Sequence, residues 1–418
     1  LDRNPSARRE KDTEQVAVDG LLGTGHRGAL RDAIATSAVR LDHCRARGAT
    51  IVALDVPSGL DATTGDCAPG IVPAHVTLTY GTIKRGLLRA RVTAGRIVLL
   101  DIGLASHATL DDDAWEMPSD SSLRRSLPPI AWDAHKGQRG HLALIGGAAG
   151  MAGAIVLATR AALATGIGLA RAWVDAPGVS ALQQGVPQAI VNAWVTTDTA
   201  SMPRVDALAL GPGLGRSSVS DAVLRAALDR YPEAPLVLDA DALTLTATPS
   251  DDAVQRLSAL CADGRVIVCT PHVGEFARLI GQPVSGDWEQ RASDVRDFAR
   301  RAGVTVVLKG TPTLIASPDG APVVVMPRGS AVLATGGSGD LLTGIVGTLL
   351  AQGVSGPSAA LLGATAHARA AERVAMSMRG IRGSTLDDVL RELPNAWREM
   401  AHPATFPPGV LAELPAPE

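Results

Sequence analysis

The sequence predicts an α/β protein built on parallel sheets and divided into two parts. Three observations carry this. Short β-branched and aliphatic runs alternate with helix-length spacers through most of the chain, as in strands buried on both faces. Apolar residues make up 46% of the 418 residues and charged residues 19%, enough for sizeable cores and too apolar for a disordered chain. An aspartate- and proline-rich stretch interrupts the alternation between Ala105 and about His135, the composition of an interdomain linker. At about 100–200 residues per domain, the length allows two to four domains.

The elements follow in order. Gln15–Leu22, Thr50–Val56, His75–Tyr80 and Arg96–Ile102 read as strands, and Leu30–Arg47 as a helix with Ile34, Ala38 and Leu41 on one face. Asp111, Asp112 and Asp113, followed by Pro118, Pro128 and Pro129, mark the break. Beyond it, His141–Ile145, Leu169–Val174, Ala207–Leu210, Leu236–Asp239, Val266–Cys269 and Val304–Leu308 read as strands. Thr313–Ala316 and Val323–Met326 form an expected hairpin around Ser317-Pro-Asp-Gly320. Helices are expected at Gly339–Gln352 and Ser358–Val374. The division is therefore residues 1–107, a linker at 108–134, a second domain at 135–400 and a loose Pro-rich tail at 401–418. The chain opens on Leu1 in a charged stretch, which reads as a start inside something longer.

Composition also narrows the function. The net charge is 39 − 42 = −3 and aromatics are 3%, so neither a basic field nor a stacking surface points to nucleic acid or to anionic membranes. Cys44, Cys67, Cys261 and Cys269 lack CxxC spacing and fit a reducing compartment rather than a disulfide framework or a zinc site. The uncharged run Leu142–Thr159 carries four glycines, and Leu341–Ala368 is broken at Gln352-Gly353 and Gly356-Pro357. Both read as buried structure rather than membrane spans. A cytoplasmic protein with small-molecule partners is expected.

The second part holds the sharpest motif, Ala334-Thr-Gly-Gly-Ser-Gly-Asp340, directly before an apolar helix. Glycines let backbone N–H groups turn towards one point, and a helix N-terminus adds partial positive charge. This suits a phosphate or a developing alkoxide, with Asp340 placed to take a proton from a hydroxyl. The alternative is a tight turn in which Asp340 caps the helix. There is no GxxxxGK[ST], so this is not a P-loop. Four further turns follow strands: the glycine loop Gly146–Ala154, Leu210-Gly-Pro-Gly-Leu-Gly215, Thr270-Pro-His-Val-Gly-Glu-Phe276 and Lys309-Gly-Thr-Pro-Thr313. Leu238-Asp-Ala-Asp-Ala-Leu243 adds two carboxylates that could orient a polar substrate or a hydrated Mg²⁺, or cap a helix. His272 could donate to a substrate or be structural, and Lys309 could meet a phosphate or be solvated. In an open α/β sheet such turns converge on one edge.

In their order, GGAAGMAGA, GPGLG, LDADAL, TPHVGEF, KGTPT and TGGSGD resemble the ADP-dependent NAD(P)H-hydrate dehydratase family of the ribokinase-like superfamily, from His135-Lys-Gly137 to Asp387. The resemblance implies a ribokinase-like α/β sandwich, assembled as a homo-oligomer, that dehydrates the S form of hydrated NAD(P)H. ADP, or ATP, with Mg²⁺ activates the ring hydroxyl as a phosphate ester; elimination then leaves NAD(P)H, AMP and phosphate. Asp340 would be the base. Lys309, Gly310, Thr311, Pro312, Thr313, Gly337, Ser338 and Gly339 would meet the nucleotide. Ala154, Gly213, His272 and Asp340 would border the hydrate. Gly329-Ser330-Ala331 stands where the family has Gly-Asn-Pro, and Ala148 where it has serine.

The first part carries Val18-Asp-Gly-Leu-Leu-Gly-Thr-Gly25, Leu54-Asp-Val-Pro-Ser-Gly-Leu-Asp61 and Tyr80-Gly-Thr-Ile-Lys-Arg-Gly-Leu87. Each is a strand ending in glycine, carboxylate or hydroxyl, and each also reads as an ordinary turn. Together they resemble the later half of the NAD(P)H-hydrate epimerase family, a partial Rossmann-like parallel sheet. By that resemblance Asp19 and Ser58 would help bind K⁺. Gly23, Thr24, Gly25, His26, Arg27, Gly28, Ala29 and Asp55 would hold the hydrate. Gly28-Ala29 replaces the family's Arg-Pro, and its Asn-Gly-Gly-Asp-Gly segment does not occur in these 418 residues, so a truncated epimerase domain is expected. A ribokinase-like small-molecule kinase, such as a hydroxymethylpyrimidine kinase, would share Asp340 and the anion hole but not the fused first part. A non-catalytic nucleotide-binding protein would bind without turnover.

Overall fold

The structure, a computed structural model, describes residues 15–104, 115–196, 202–246, 253–378 and 380–417. Asp111, Asp112 and Asp113 of the expected linker lie outside them. The described residues of Leu1–Thr109, together with Thr405–Pro417, make one compact unit, and those of Leu110–Ala404 make the other.

In the first unit, strands β1 (Val16–Asp19), β2 (Thr50–Leu54), β3 (Val76–Tyr80) and β4 (Arg96–Leu100) pair in parallel and in chain order. Alternate residues of β2, Ile51 and Ala53, are buried, and Leu41 of helix α1 (Asp32–Ala46) packs against them. The period of two on the strands and of 3.6 on the helix bring one apolar face to the other. Short helices α2 (Arg85–Arg89) and α3 (Arg91–Ala94) bridge β3 to β4, with Leu87 and Ala94 fully buried.

The second unit opens with α4 (Asp120–Ser126), inside the expected linker. Leu123 there is buried in the main core, Ser119 caps the helix, and Asp120 pairs with Arg369. The prolines on either side hid this helix: they bound a seven-residue element too short to show a period.

Its sheet contains β5 (His141–Ile145), β6 (Leu169–Val174), β7 (Ile190–Ala193), β8 (Ala207–Leu210), β9 (Leu236–Leu238), β10 (Ile267–Cys269), β11 (Thr305–Leu308), β12 (Thr313–Ala316) and β13 (Val324–Met326). The order is β13-β12-β11-β10-β9-β8-β5-β6-β7; the strands from β11 to β7 are parallel, and β12 and β13 close one edge as the expected antiparallel hairpin. The chain runs outward from β5 to β7, then returns to place β8 on the other side of β5. That reversal is where open α/β sheets leave a crevice beyond their strand ends.

Helices α5 (Ala152–Thr165), α6 (Val179–Gly185), α7 (Ser218–Arg230), α8 (Ala240–Thr246), α9 (Ala253–Leu260), α10 (Val273–Ile280) and α11 (Trp288–Ala302) follow the strands, and α12 (Ser338–Ala351), α13 (Gly356–Met378) and α14 (Leu386–Ala401) follow the hairpin. Leu142, Leu144, Ala207, Ala209, Val237, Val268 and Val307 share one core with α5, α12, α13 and α14. Ala143, Ile145, Leu208, Leu210, Leu236 and Leu238, pointing the other way, are just as buried. Covering both faces is what makes these strands read as unbroken apolar runs. The uncharged run from Leu341 is α12 and α13, with Leu341–Ala351 buried throughout. Among the described residues, no helix is long and apolar enough to cross a membrane.

The tail departs from expectation. Val410–Leu414 forms β14, antiparallel to β4 at the edge of the first sheet. Leu414 is buried and Glu413 pairs with Arg96 at 2.7 Å. Proline composition suggested a loose end; the backbone groups of an exposed parallel edge gave this segment a partner instead.

Candidate active site

Strand β9 ends at Leu238, and the next side chain, Asp239, is 1% exposed. A carboxylate so deep must be paired. Its Oδ1 accepts from Lys309 Nζ at 2.7 Å and Thr270 Oγ1 at 2.8 Å, and its Oδ2 accepts from Thr343 Oγ1 at 2.8 Å. Lys309 closes β11, Thr270 follows β10, and Thr343 lies in α12. Three neighbouring strand ends and a helix thus meet at one carboxylate. Glu275 of α10 stands 3.9 Å from Lys309 Nζ. Burial pulls the Lys309 ammonium down, but Asp239 and Glu275 outweigh it and hold its pKa above the ordinary lysine value.

Helix α12 starts over this cluster. Gly337 takes the left-handed conformation (φ 96°) at its N-cap, and no side chain caps the helix. Its first-turn N–H groups therefore lack the usual side-chain acceptor and favour an anion. A Cβ added at Gly339 would stand 3.1 Å from Lys309 Nζ, so the helix end and the ammonium bound the same space. Asp340, half-buried in this first turn, has its pKa pushed up to about 7 by burial, and then by Asp239, against the pull of Lys309. Near neutral pH it can take or give a proton.

The glycine turns after β5 and β8 interlock beside the helix. Gly147 N–H donates to Pro212 O at 2.9 Å and Ala148 N–H to Gly213 O at 2.6 Å. Gly213 has φ 59°, and a Cβ there would meet Met151 O at 2.7 Å and Ala154 Cβ at 3.1 Å. The structure thus brings Ala154 and Gly213 side by side. Asp241 supports this wall: it accepts from Gly215 N–H at 2.9 Å and Arg216 Nε at 2.8 Å.

His272 is the N-cap of α10. Its Nδ1 accepts from the N–H groups of Gly274 and Glu275, while Glu275 Oε2 accepts from His272 N–H at 2.8 Å. Its Nε2 faces Glu275 Oε1 at 3.5 Å, and the side chain is 56% exposed. Lys309 N–H donates to Pro271 O, which sets the TPHVGEF and KGTPT turns edge to edge. Within the latter, Thr313 Oγ1 donates to Gly310 O at 3.1 Å. Lys309, read from sequence as a phosphate charge or a solvated lysine, is neither exposed nor unpaired here. Thr270, Glu275 and Thr343 received no role from sequence. Thr343 lies three residues after Asp340, on the same face of α12, and that spacing was the available signal.

In the first unit, Asp19 and Ser58 are buried together: Ser58 Oγ donates to Asp19 Oδ1 at 2.5 Å and Ser58 N–H to Oδ2 at 2.8 Å. Leu22 N–H donates to Ser58 Oγ at 2.9 Å, tying in the Gly23–Ala29 loop. In that loop, His26 Nε2 donates to Gly28 O, and Arg27 pairs with Asp61 at 2.7 Å. Asp55, at the end of β2, has φ 66°, rare for a residue with a Cβ. It pairs with Lys84, which also donates to Thr79 Oγ1 and Tyr80 O.

Known proteins share both units. The family described as NAD(P)H-hydrate dehydratase matches residues 142–395, and the family described as YjeF-related protein N-terminus matches residues 2–86. The bifunctional NAD(P)H-hydrate repair enzyme Nnr of Escherichia coli is 35% identical over 387 residues, covering 91% of this chain and 72% of that one. Its Mycobacterium tuberculosis namesake is 37% identical over 346 residues, covering 82% and 67%. The ADP/ATP-dependent NAD(P)H-hydrate dehydratase of Bacillus subtilis, co-crystallized with ATP/Mg²⁺, superposes with a TM-score of 0.59 at 27% identity, over 69% of this chain and 100% of that one. A ribokinase-like superfamily protein of Enterococcus faecalis, 24% identical, shares the fold with a TM-score of 0.59, over 71% of this chain and 100% of that one.

Proposed function

The chain belongs to the family of bifunctional NAD(P)H-hydrate repair enzymes, and on that premise we propose how its residues do the work. The second unit is an ADP-dependent NAD(P)H-hydrate dehydratase and the first an NAD(P)H-hydrate epimerase domain. The observation that carries the assignment of roles is Asp340, poised near neutrality at the uncapped end of α12 above Lys309.

In this reading Asp340 takes the proton from the hydroxyl of the hydrated nicotinamide. ADP or ATP supplies the phosphoryl group that turns this hydroxyl into a leaving group. The N–H groups of Gly337–Asp340 and the Lys309 ammonium stabilise the charge that builds on the phosphoryl oxygens. Lys309–Thr313 and Gly339 flank the nucleotide, and Ala154, Gly213 and His272 border the hydrate. Elimination then releases phosphate, leaving NAD(P)H and, from ADP, AMP. Among the described residues no three acidic, histidine or cysteine side chains form a metal cage. Mg²⁺ would be held chiefly by the nucleotide phosphates and water. In the first unit, the Gly23–Ala29 loop and Asp55 would hold the hydrate. The buried oxygens of Asp19 and Ser58 would be the groups that hold K⁺, which would supply a fixed positive charge.

Absorbance of reduced nicotinamide tests the dehydratase roles. Wild type mixed with hydrated NADPH, Mg²⁺ and ADP should show an ADP-dependent rise, and Asp340→Asn should slow it by about 10²–10⁴-fold. A stable phosphate ester in place of the rise would make the second unit a small-molecule kinase. Nucleotide binding with no turnover would make it a binding protein.

A further inference from the structure

We infer that Asp239 is the positioning residue of this site, its single buried carboxylate tying the Lys309 ammonium to α12 and so fixing the base and the anion hole relative to one another. The inference rests on reading Asp340 as the base. Asp239 is 1% exposed, with hydrogen bonds to both oxygens, so it acts through other groups rather than by touching substrate. Its three donors come from separate elements: Thr270 after β10, Lys309 at the end of β11 and Thr343 in α12. Thr343 Oγ1 also lies 3.1 Å from Gly339 O, sharing its one proton between that carbonyl and Asp239, so the tie reaches the helix turn that carries Asp340. The residue that follows, Ala240, has φ 47°. A left-handed alanine costs energy and persists only where its surroundings hold it, commonly at functional sites.

The charges around Asp340 come from every side. Asp239 stands at the end of β9, Asp241 on α8 and Lys309 at the end of β11; behind Lys309 lie Glu275 on α10 and the buried His367 on α13. Burial pulls the His367 imidazole down to about 4, so it is uncharged at neutral pH. Asp239 and Asp241 favour protonated Asp340 and Lys309 opposes them. Removing the Asp239 charge therefore makes Asp340 a stronger acid and a weaker base, and it also releases Lys309 from its main anchor.

Two variants test this. In Asp239→Asn, the Asp340 carboxyl carbon, followed by ¹³C NMR in aspartate-labelled protein, should titrate about one pH unit below wild type. This readout needs no turnover, so it stands even if the dehydratase reading fails. In Thr343→Val, kcat should fall roughly tenfold with KM for ADP little changed, and Thr343→Ser should restore it. A wild-type Asp340 midpoint in Asp239→Asn, or a wild-type kcat in Thr343→Val, overturns the inference. If Asp239→Asn does not fold, the Thr343 pair decides alone, because Thr343→Ser keeps the hydroxyl and Thr343→Val keeps the side-chain volume, and circular dichroism checks that each is folded.

Discussion

Asp340 sits where two sets of forces oppose each other. The N-terminus of α12 and Lys309 favour its charged form, whereas burial, Asp239 and Asp241 favour the neutral one. The neutral side wins far enough to bring its pKa to about 7. As the proposed base, Asp340 works as the carboxylate, so kcat/KM should fall as pH drops below about 7, tenfold per pH unit, and level off above it. Initial rates across neutral pH, at fixed Mg²⁺, would show this limb. A profile flat down to the usual carboxylate range would mean another group sets the proton balance. Sequence showed the glycine turn and the aspartate that follows it. It could not show the pKa, because that depends on Asp239 and Lys309, which lie 70 residues apart in the chain.

The strands and most long helices were readable as elements, since each carries its own period. How the elements press on one another was not. Helix α12 crosses α5 so closely that a Cβ at Gly344 would stand 2.0 Å from Ala158 O. Only glycine fits there, and the contact holds the helix that presents Asp340 against the one that follows the first glycine loop. Gly344→Ala should part the helices and destabilise the protein by about 1–3 kcal/mol, despite alanine's better helix propensity. Urea unfolding at equilibrium would measure the loss; an unchanged midpoint would mean the crossing relaxes freely. Helix α4 and strand β14 escaped sequence reading because each is short, proline-flanked and stable only against a distant partner.

At the scale of the whole chain, the second unit carries every tryptophan, Trp115, Trp132, Trp173, Trp194, Trp288 and Trp397, while the first is completed by residues from the C-terminal end. Removing the chain from Thr405 onward should expose the β4 edge and lower the unfolding temperature seen by circular dichroism by several degrees. Tryptophan fluorescence of the same variant should still report stabilisation by ATP and Mg²⁺, about 2.7 kcal/mol at a hundredfold excess over Kd. Loss of that response would show that the tail supports more than the first sheet. By itself the sequence determined the α/β class, the positions of the strand ends and the residue types waiting there. These are short-range properties, because apolar periodicity and turn chemistry act within a few residues. Only the tertiary structure decided that Asp239 joins Thr270, Lys309 and Thr343, the last 104 residues away, and that the tail returns to β4. Hydrogen bonds and charges act through space, and their strength depends on a burial that no local stretch of chain contains.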